Sequence, residues 1–333
     1  MSLNSEGLLE LARGYQGAAV LAAAADLDLF SALAAEALTA PVLAHRLSCD
    51  LRGLTILLDA LTALQLLVKE EERYSLAPGA EACLTASGQH SMLAMAQHQA
   101  NCLRRWVQLA RVVKTGQPAG RTPSVRGEKR DQEAFIGAMH GISASVADQV
   151  IGSIKPLQFR TLLDIGGASG TWTHAFLRAC PAANAILFDL PEVISLARRL
   201  PAEEGMAGRI RFVAGDFMTD LLPPGADLAW VSAIVHQNSR KQNRQLFAKV
   251  FQALLPTGRM VIRDILMQPT RTHPVAGALF AVNMLVATEG GGTYTFEELR
   301  EDLEAAGFAG GAVVRQDEGM NSVLIAEKPG GHQ

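Results

Sequence analysis

Apolar and polar residues follow two different patterns along this chain, and the change of pattern divides it. In the first third, residues 7–35 and 54–68 place alanine and leucine three and four positions apart, which predicts helices that face a core. From about residue 156, short apolar stretches alternate with amphipathic ones. We therefore predict a mostly helical domain over 1–110, a linker loop and bridging helix over 111–155, and an α/β domain over 156–330.

Between the N-terminal helical stretches lies a pattern that is typical of a winged helix. Thr39-Ala-Pro-Val-Leu-Ala-His-Arg-Leu47 predicts a helix with a threonine cap and a proline in its first turn. Leu66-Leu-Val-Lys-Glu-Glu-Glu-Arg-Tyr-Ser-Leu76 predicts two short strands around a charged turn. Further on, residues 91–114 predict a helix, residues 116–130 a loop, and residues 131–151 the bridging helix.

The second half of the chain predicts a parallel, doubly wound sheet. Its strand-like segments are 161–165, 184–188, 210–214, 227–235, 259–266 and 322–327. The segments between them that suit helices are 172–179, 192–200, 239–255 and 295–306. Strands that alternate with helices in this way form parallel sheets with helices on both faces.

Composition and charge exclude several classes of protein. A hydrophobic content of 49% with 19% charged residues is typical of a globular protein, and the net charge of −3 argues against nucleic acid or an anionic membrane as a partner. The four cysteines are scattered without a C-x-x-C pair, which predicts reduced thiols rather than disulfides or a zinc site. We find neither a signal-peptide pattern nor an apolar run that could span a membrane, and we expect a cytoplasmic protein.

The segment Asp164-Ile-Gly-Gly-Ala-Ser-Gly170 predicts a ligand site. It joins an apolar strand to a helix through a glycine-rich turn, where the backbone can bend tightly and a ligand can approach it. Amide groups at the start of the following helix would face that ligand. The next strand ends in Asp189, at a spacing that suits a carboxylate bound to a ribose hydroxyl. The pair indicates a nucleotide-like cofactor.

The details of the turn decide between cofactors. No register of the loop provides G-x-G-x-x-G, and no G-K-[ST] follows, so neither a dinucleotide nor a P-loop site is predicted. Asp164, Asp189 and Asp216 instead place an acid at three successive strand ends. Several carboxylates suit a ligand with ribose hydroxyls and a cationic amino group, and they disfavour phosphates. S-adenosylmethionine meets this description.

His236 is the candidate for acid–base chemistry. It lies in Trp230-Val-Ser-Ala-Ile-Val-His-Gln-Asn-Ser239, where a predicted strand ends before a helix. Ligands of open α/β sheets bind at this end of the strands. Histidine is suited to removing the proton of an acceptor hydroxyl because its ordinary pKa lies near neutrality.

Three motifs together resemble one family of enzymes. Asp164 to Gly170, Phe188-Asp-Leu-Pro-Glu-Val193 and Gly215-Asp-Phe217 resemble the S-adenosylmethionine-dependent small-molecule O-methyltransferases of the plant caffeate and hydroxyindole type, with their bacterial relatives. The resemblance covers nearly the whole chain, and the N-terminal region looks like the family's winged-helix dimerisation domain. It implies a Rossmann-like methyltransferase domain, S-adenosylmethionine as cofactor, a small aromatic or polyketide-like acceptor, and a homodimer.

The resemblance also implies roles for individual residues. His236 would be the catalytic base, and the cofactor would be bound by Asp164, Gly166, Gly167, Ser169, Gly170, Asp189, Leu190, Asp216, Phe217 and Ser232. The acceptor would contact Phe135, Met139, Phe280, Asn283 and Met284, and no metal is implied. Two glutamates assist the base in plant members, and their positions align with Arg263 and Thr293, with Asp264 as an alternative helper. Ser232 stands where plant members have a lysine.

Two alternatives remain open at this point. The chain could be a relative that methylates carbon or nitrogen, or one that uses the cofactor for another reaction. A protein of another class, a winged-helix transcription regulator with a ligand-sensing domain, would also fit the pattern over 39–76. Its wing, Lys69 to Arg73, is however net acidic and would be repelled by a phosphate backbone.

Overall fold

The computed structural model describes residues 4–154, 158–199, 205–206 and 208–330. The helices are α1 (Ser5–Arg13), α2 (Tyr15–Asp26), α3 (Leu29–Ala32), α4 (Ala40–Leu47), α5 (Leu51–Ala63), α6 (Ala80–Leu84), α7 (Leu93–Trp106), α8 (Leu109–Thr115), α9 (Glu128–Ala144), α10 (Ala147–Ser153), α11 (Thr171–Ala179), α12 (Pro191–Ala197), α13 (Arg240–Ala253), α14 (Val275–Ala287) and α15 (Phe296–Ala305). None of these helices combines the length and apolar character that crossing a membrane requires.

The strands are β1 (Leu38–Thr39), β2 (Leu67–Glu70), β3 (Arg73–Leu76), β4 (Thr161–Ile165), β5 (Asn184–Asp189), β6 (Ile210–Ala214), β7 (Ala226–Ser232), β8 (Leu254–Asp264), β9 (Leu266–Met267), β10 (Tyr294–Thr295), β11 (Ala309–Arg315) and β12 (Ser322–Glu327). The chain forms two compact units: one holds the residues through Gln108 together with Gly120–Gly141, and the other holds Leu109–Ala119 and the residues from Ile142 onward.

The first unit contains the predicted winged-helix arrangement. Helices α4 and α5 are followed by the hairpin of β2 and β3, and β1 adds a third antiparallel strand in the order β1-β3-β2. The apolar faces of these elements enclose one core, in which Phe30, Leu58 and Tyr74 are fully buried or nearly so. Thr39 occupies the N-cap position of α4, but its side chain makes no capping hydrogen bond.

Several N-terminal helices are shorter than their sequence pattern predicts. The stretch 7–35 divides into α1, α2 and α3, because the helix is interrupted at Gly14 and the chain turns at Asp28, whose φ of 57° is left-handed. The predicted helix over 91–114 likewise divides into α7 and α8, and the bridging helix into α9 and α10. Periodicity therefore located these helical stretches but not the breaks within them.

A seven-stranded sheet forms the centre of the second unit, in the order β11-β12-β8-β7-β4-β5-β6. Strands β4 to β8 run parallel, as predicted for the doubly wound region. Residues of α13 and α15 pack on one face, including Phe247 and Leu303, while α10 and α11 cover the other face with Ile151 and Phe176. The predicted strand 322–327 departs from the parallel arrangement: β12 runs antiparallel to β8, because it returns from β11 as a hairpin without a crossover helix.

The chain changes side between β4 and β7, and this arrangement positions the site. From β4 the chain proceeds through α11 to β5 and then to β6 on one side. It then returns to β7 and β8 on the other side of β4. A crevice forms at the carboxyl ends of two strands where the connections diverge, and ligands of open α/β sheets bind there.

Candidate active site

The glycine loop after β4 lies tightly against the sheet. Gly166 and Gly170 have φ values of 67° and 82°, which are accessible to glycine at little cost. A Cβ on Gly166 would lie 2.6 Å from Ile234 Cδ1, and one on Gly167 would lie 2.7 Å from Leu187 Cγ. Glycine is therefore required here because the backbone approaches its neighbours too closely for a side chain. Gly170 then occupies the N-cap position of α11.

Asp189 connects the end of β5 to the glycine loop. Its Oδ2 accepts a hydrogen bond of 2.8 Å from the Ala168 amide, and its Oδ1 accepts one of 2.7 Å from the Leu190 amide. Burial raises the pKa of the Asp189 carboxyl, while these two amide donors lower it. Each carboxylate oxygen has a second lone pair, so Asp189 can still accept a hydrogen bond from a ribose hydroxyl.

Asp216 and Phe217 form a compact turn after β6. Asp216 Oδ1 accepts a 2.8 Å hydrogen bond from the Met218 amide, and the Asp220 carboxylate accepts one from the Asp216 amide. Lys249 of α13 fixes the turn from outside, since its Nζ donates to the carbonyl oxygens of Phe217 and Met218 at 3.0 and 2.7 Å. Sequence reasoning missed Lys249, because its contact spans more than thirty residues and has no local signal.

Asp164, at the end of β4, is buried beneath the loop. Its carboxylate accepts a 2.6 Å hydrogen bond from the Thr173 hydroxyl of α11 and a further one from the Thr173 amide. Burial raises the pKa of Asp164 to about 7, against the lowering effect of Thr173, and the charge of Asp189 raises it further. Asp164 thus links β4 to α11 through these hydrogen bonds and supports the glycine loop from beneath.

His236 forms a buried pair with Asp264. The prediction that β7 extends to residue 235 was wrong: it ends at Ser232, because Ala233 takes a left-handed φ of 56° and turns the chain into a short 3₁₀ turn, Val235–Gln237. His236 Nδ1 then lies 2.9 Å from both carboxylate oxygens of Asp264 at the end of β8. Their side chains are 8% and 1% exposed.

Of the candidate helpers, Asp264 is the one that contacts His236. Arg263 and Asp264 are consecutive residues of a strand, so their side chains point to opposite faces of the sheet. Arg263 donates to Ser232 and Asn321 on the other face, and the Thr293 hydroxyl donates to the Gly277 carbonyl. Asp264 therefore occupies the place next to His236 that the resemblance assigned to a helper at Arg263.

The histidine is held from two further sides. Its ring meets the ring of Phe280 edge-on, with centroids 4.8 Å apart and an interplanar angle of 80°. The His236 carbonyl accepts a 2.9 Å hydrogen bond from the Gly292 amide. A Cβ on Gly291 would lie 2.5 Å from that carbonyl oxygen, so glycine permits the segment after α14 to pack against the turn of His236.

The predicted acceptor residues fall in different parts of the fold. Phe280, Asn283 and Met284 lie on α14 of the second unit, and Met284 is buried. Phe135 and Met139 lie on α9 in the first unit, where the Phe135 ring packs 5.1 Å from that of His98. Of these five residues, the geometry thus brings Phe280 directly to His236.

The residues at the crevice fit S-adenosylmethionine. The glycine cradle has no room for side chains, and Asp189 and Asp216 offer carboxylate oxygens to hydroxyl and amino groups. Ser169 and Gly170 immediately precede α11, and Leu190 is 39% exposed beside Asp189. Across the described ranges, no group of three or more His, Cys, Asp and Glu side chains is arranged to hold a metal ion.

Comparison with known proteins identifies the family. Residues 106–309 match the O-methyltransferase domain, and residues 9–86 match the O-methyltransferase dimerisation domain. The chain is 31% identical to the tetracenomycin polyketide synthesis 8-O-methyl transferase of Streptomyces glaucescens, over 97% of this chain and 96% of that protein. It is 33% identical to the 3-hydroxy-5-methyl-1-naphthoate 3-O-methyltransferase of Streptomyces sahachiroi, over 96% of this chain and 94% of that protein.

The fold agrees with a solved structure of the same kind. The crystal structure of human N-acetylserotonin methyltransferase in complex with S-adenosylmethionine superimposes with a TM-score of 0.83 over 99% of both chains, at 24% identity. The Rossmann-like domain and the separate helical N-terminal domain predicted from sequence are thereby confirmed. The chain belongs to the O-methyltransferase family.

Proposed function

We propose that this enzyme transfers a methyl group from S-adenosylmethionine to a hydroxyl of a small aromatic or polyketide-like molecule, with His236 as the general base. Membership of the family supports the reaction, and the relatives that act on a naphthoate and in tetracenomycin synthesis support the acceptor class. The observation that carries the proposal is the buried His236–Asp264 pair at the carboxyl ends of β7 and β8, beside the glycine-loop crevice.

The residues of the crevice would bind the cofactor, which supplies an electrophilic methyl group when it is bound. Asp189 would accept hydrogen bonds from the ribose hydroxyls, and the turn of Asp216 and Phe217 would bind the adenine. Gly166 to Gly170 would surround the methionine part. The release of the methyl group from the cofactor needs no acid or base. The remaining tasks of the protein are therefore to align the acceptor and to remove the proton of the acceptor hydroxyl.

Asp264 would make His236 an effective base. An Nδ1–H that donates to the Asp264 carboxylate leaves the lone pair on Nε2, where it can take the acceptor's proton. The carboxylate also stabilises the imidazolium that forms. The Ile265 amide donates to Asp264 Oδ1 at 2.8 Å, which fixes the carboxylate, and Phe280 restricts the ring of His236. Base and helper would thus be positioned before the acceptor binds.

The α14 segment would form an apolar surface for the acceptor. Its sequence from Val275 to Ala287 contains no charged residue, and Phe280 and Met284 stand one turn apart on it. Aromatic and thioether side chains bind flat aromatic molecules well. Asn283 is the polar side chain of this helix and would orient a carbonyl or hydroxyl group.

The assembly would be a cytoplasmic homodimer formed through the N-terminal domain. The match of residues 9–86 to the dimerisation domain supports this part of the proposal. We assign dimerisation to residues 1–110, connection to 111–155, and cofactor binding and catalysis to 156–330. The four cysteines are free thiols, which suits a reducing compartment.

The test measures cofactor binding and methyl transfer separately. We expect calorimetry to show binding of S-adenosylhomocysteine to the wild-type protein and, unchanged within about twofold, to His236→Ala. With methyl-labelled S-adenosylmethionine and hydroxynaphthoates as acceptors, we expect His236→Ala to lower kcat by about 100-fold or more. Asp264→Asn should lower it by about tenfold or more, because an amide no longer secures the imidazole tautomer.

His45→Ala provides the control, since His45 is an exposed histidine on α4 of the first unit, and its activity should match the wild type. A protein that binds no S-adenosylhomocysteine would refute the assigned cofactor. Full turnover by His236→Ala would remove His236 from the mechanism. Mass spectrometry that locates the label on carbon or nitrogen of the product would contradict O-methylation.

A further inference from the structure

Arg263 is a buried cation whose hydrogen-bond partners are neutral. Its side chain belongs to a residue that is only 5% exposed. Nε and Nη2 donate to the Asn321 amide oxygen at 3.0 and 2.8 Å, and Nη1 donates to the Ser232 hydroxyl at 3.0 Å. The guanidinium also stacks on Trp172, 4.5 Å from the ring centroid. Within the described residues, these contacts use three of its N–H groups, and one N–H on each terminal nitrogen is left.

The positive charge of Arg263 is incompletely compensated by its surroundings. Burial lowers the pKa of Arg263 to about 10, although Asp264 and Asp317 attract it from a distance without forming an ion pair with it in the described part of the chain. A buried charge with only neutral hydrogen-bond partners is costly, and an anionic partner would remove much of that cost. Stacking on an aromatic ring compensates a cation only in part. The site is therefore complementary to a small anion.

The position of Arg263 indicates which anion this is. Arg263 pairs with Ser232 across β8 and β7, and β7 borders the crevice between β7 and β4. Trp172, on which the guanidinium stacks, is the second residue of the helix that follows the glycine loop. Arg263 thus lies at the border of the cofactor crevice, on the sheet face opposite to Asp264 and His236.

The charges on the other side of the crevice would not hold an anion. Asp164, Asp189 and Asp216 are carboxylic acids, which suit the hydroxyl and amino groups of S-adenosylmethionine and repel its carboxylate when they are ionised. Arg263 supplies the opposite charge. The Ser232 hydroxyl, which accepts from Arg263, can donate its own hydrogen to the same ligand.

We propose that Arg263, assisted by Ser232, binds the carboxylate of the methionine part of the cofactor. This assignment rests on the proposed use of S-adenosylmethionine. The guanidinium is aligned by Asn321 and Trp172 and presents its remaining N–H groups to a carboxylate, a pairing that gives strong, directional hydrogen bonds. A residue of β8 thereby supplies the positive charge next to Ser232, the position at which plant relatives carry a lysine.

The test removes the carboxylate from the ligand and the cation from the protein in turn. Two ligands are titrated by calorimetry, S-adenosylhomocysteine and its decarboxylated analogue, which keeps the amino group. We expect Arg263→Met to weaken the binding of S-adenosylhomocysteine by about tenfold or more and the binding of the analogue by less than about twofold. Arg263→Lys should lose less affinity for S-adenosylhomocysteine than Arg263→Met. Ser232→Ala should weaken the binding of S-adenosylhomocysteine about threefold and leave the binding of the analogue unaffected.

Arg259→Met is the matched control, because Arg259 lies on the same strand and the same face, roughly 13 Å from Arg263, and donates to the Gln158 carbonyl. It should bind both ligands like the wild type. Equal losses for the two ligands in Arg263→Met would make Arg263 a structural residue and overturn the inference, as would an unchanged affinity for S-adenosylhomocysteine.

Should Arg263→Met not fold, Arg263→Lys and Ser232→Ala decide by the same comparison. If the wild-type protein binds neither ligand, the proposed function fails. If it binds S-adenosylhomocysteine no better than the decarboxylated analogue, only the role of Arg263 fails.

Discussion

Asp164 shows how the fold changes the chemistry of a single residue. The side chain lies near the end of a strand buried on both faces, and it accepts a hydrogen bond from the Thr173 hydroxyl. Burial raises its pKa to about 7 from an ordinary value of 3.8. A carboxyl group whose pKa is higher in the folded than in the unfolded protein binds its proton more tightly when folded. It therefore stabilises the fold most at low pH, where it is protonated in both states.

This sign gives a pH dependence that a neutral substitute should lack. We expect the free energy of unfolding of the cofactor-free wild type, relative to that of Asp164→Asn, to be highest near pH 4 and to decline as the pH rises through 7. Urea denaturation of both proteins at several pH values between about 5 and 8 measures the difference. Parallel curves, or a difference that grows with pH, would show that Asp164 is already ionised in the folded protein.

At the residue scale, the sequence predicts well which residues belong to the site. It predicts less well which of two neighbouring residues has a given role. Asp189 and Asp216 were identified because one ends a strand and the other closely follows one, a property visible in the local pattern. The choice between Arg263 and Asp264 depends on the face of β8 to which each side chain points. Both sides of that strand end are buried, so no alternation of polar and apolar residues reveals the parity.

At the scale of elements, α13 fixes the turn that would bind adenine. It begins with a capping box of Ser239 and Gln242, which satisfies its first amides, and it packs through Phe247 into the core of the sheet. Lys249, further along the helix, donates to the carbonyl oxygens of Phe217 and Met218. The helix that follows His236 thus also supports the turn of Asp216 and Phe217.

Removing this lysine should affect the adenosine half of the cofactor. We expect Lys249→Met to weaken the binding of S-adenosylhomocysteine about three- to tenfold. The binding of its decarboxylated analogue should weaken by the same factor, because both ligands contain adenosine. This pattern differs from the selective loss expected for Arg263→Met. Calorimetry measures it, with Lys241→Met, an exposed substitution on the same helix, as the control. A loss confined to one ligand, or no loss, would refute this support by Lys249.

Several elements were missing from the predictions, and for β11 and α14 the physical reason is clear. Strand β11 contains Gly310 and Gly311 and lies at the edge of the sheet with partly exposed residues, so it lacks an apolar run that predicts a strand. Helix α14 is apolar nearly all round and therefore has no amphipathic period. The strands β4 and β5, buried on both faces, give continuous apolar runs and were located well.

At the scale of the whole molecule, the apolar surface of α1 remains to be explained. Leu8 and Leu11 of α1 and Tyr15, the first residue of α2, are 53%, 61% and 60% exposed, and their spacing of three and four is that of neighbours on one helix face. Exposed apolar stripes of this kind are characteristic of protein interfaces. Two of these residues fall within the match to the dimerisation domain.

We expect charges in this stripe to prevent dimerisation. Light scattering coupled to size-exclusion chromatography should show a dimer for the wild type at micromolar concentration, and a monomer for the double variant Leu8→Glu with Leu11→Glu, since burying two carboxylates opposite their symmetry mates is costly. Glu10→Gln on the exposed surface of the same helix serves as the control. A double variant that stays dimeric would place the interface elsewhere.

The close packing of Gly291 against the His236 carbonyl has a consequence for engineering the enzyme. The segment after α14 cannot accept a side chain at Gly291 without displacing the backbone of His236, so substitutions of Gly291 would impair turnover for every acceptor. Libraries intended to widen the range of acceptors are better confined to exposed positions of α14, such as Leu279 and Leu285. The exposed positions of α14 thus tolerate redesign, whereas the tightly packed Gly291 does not.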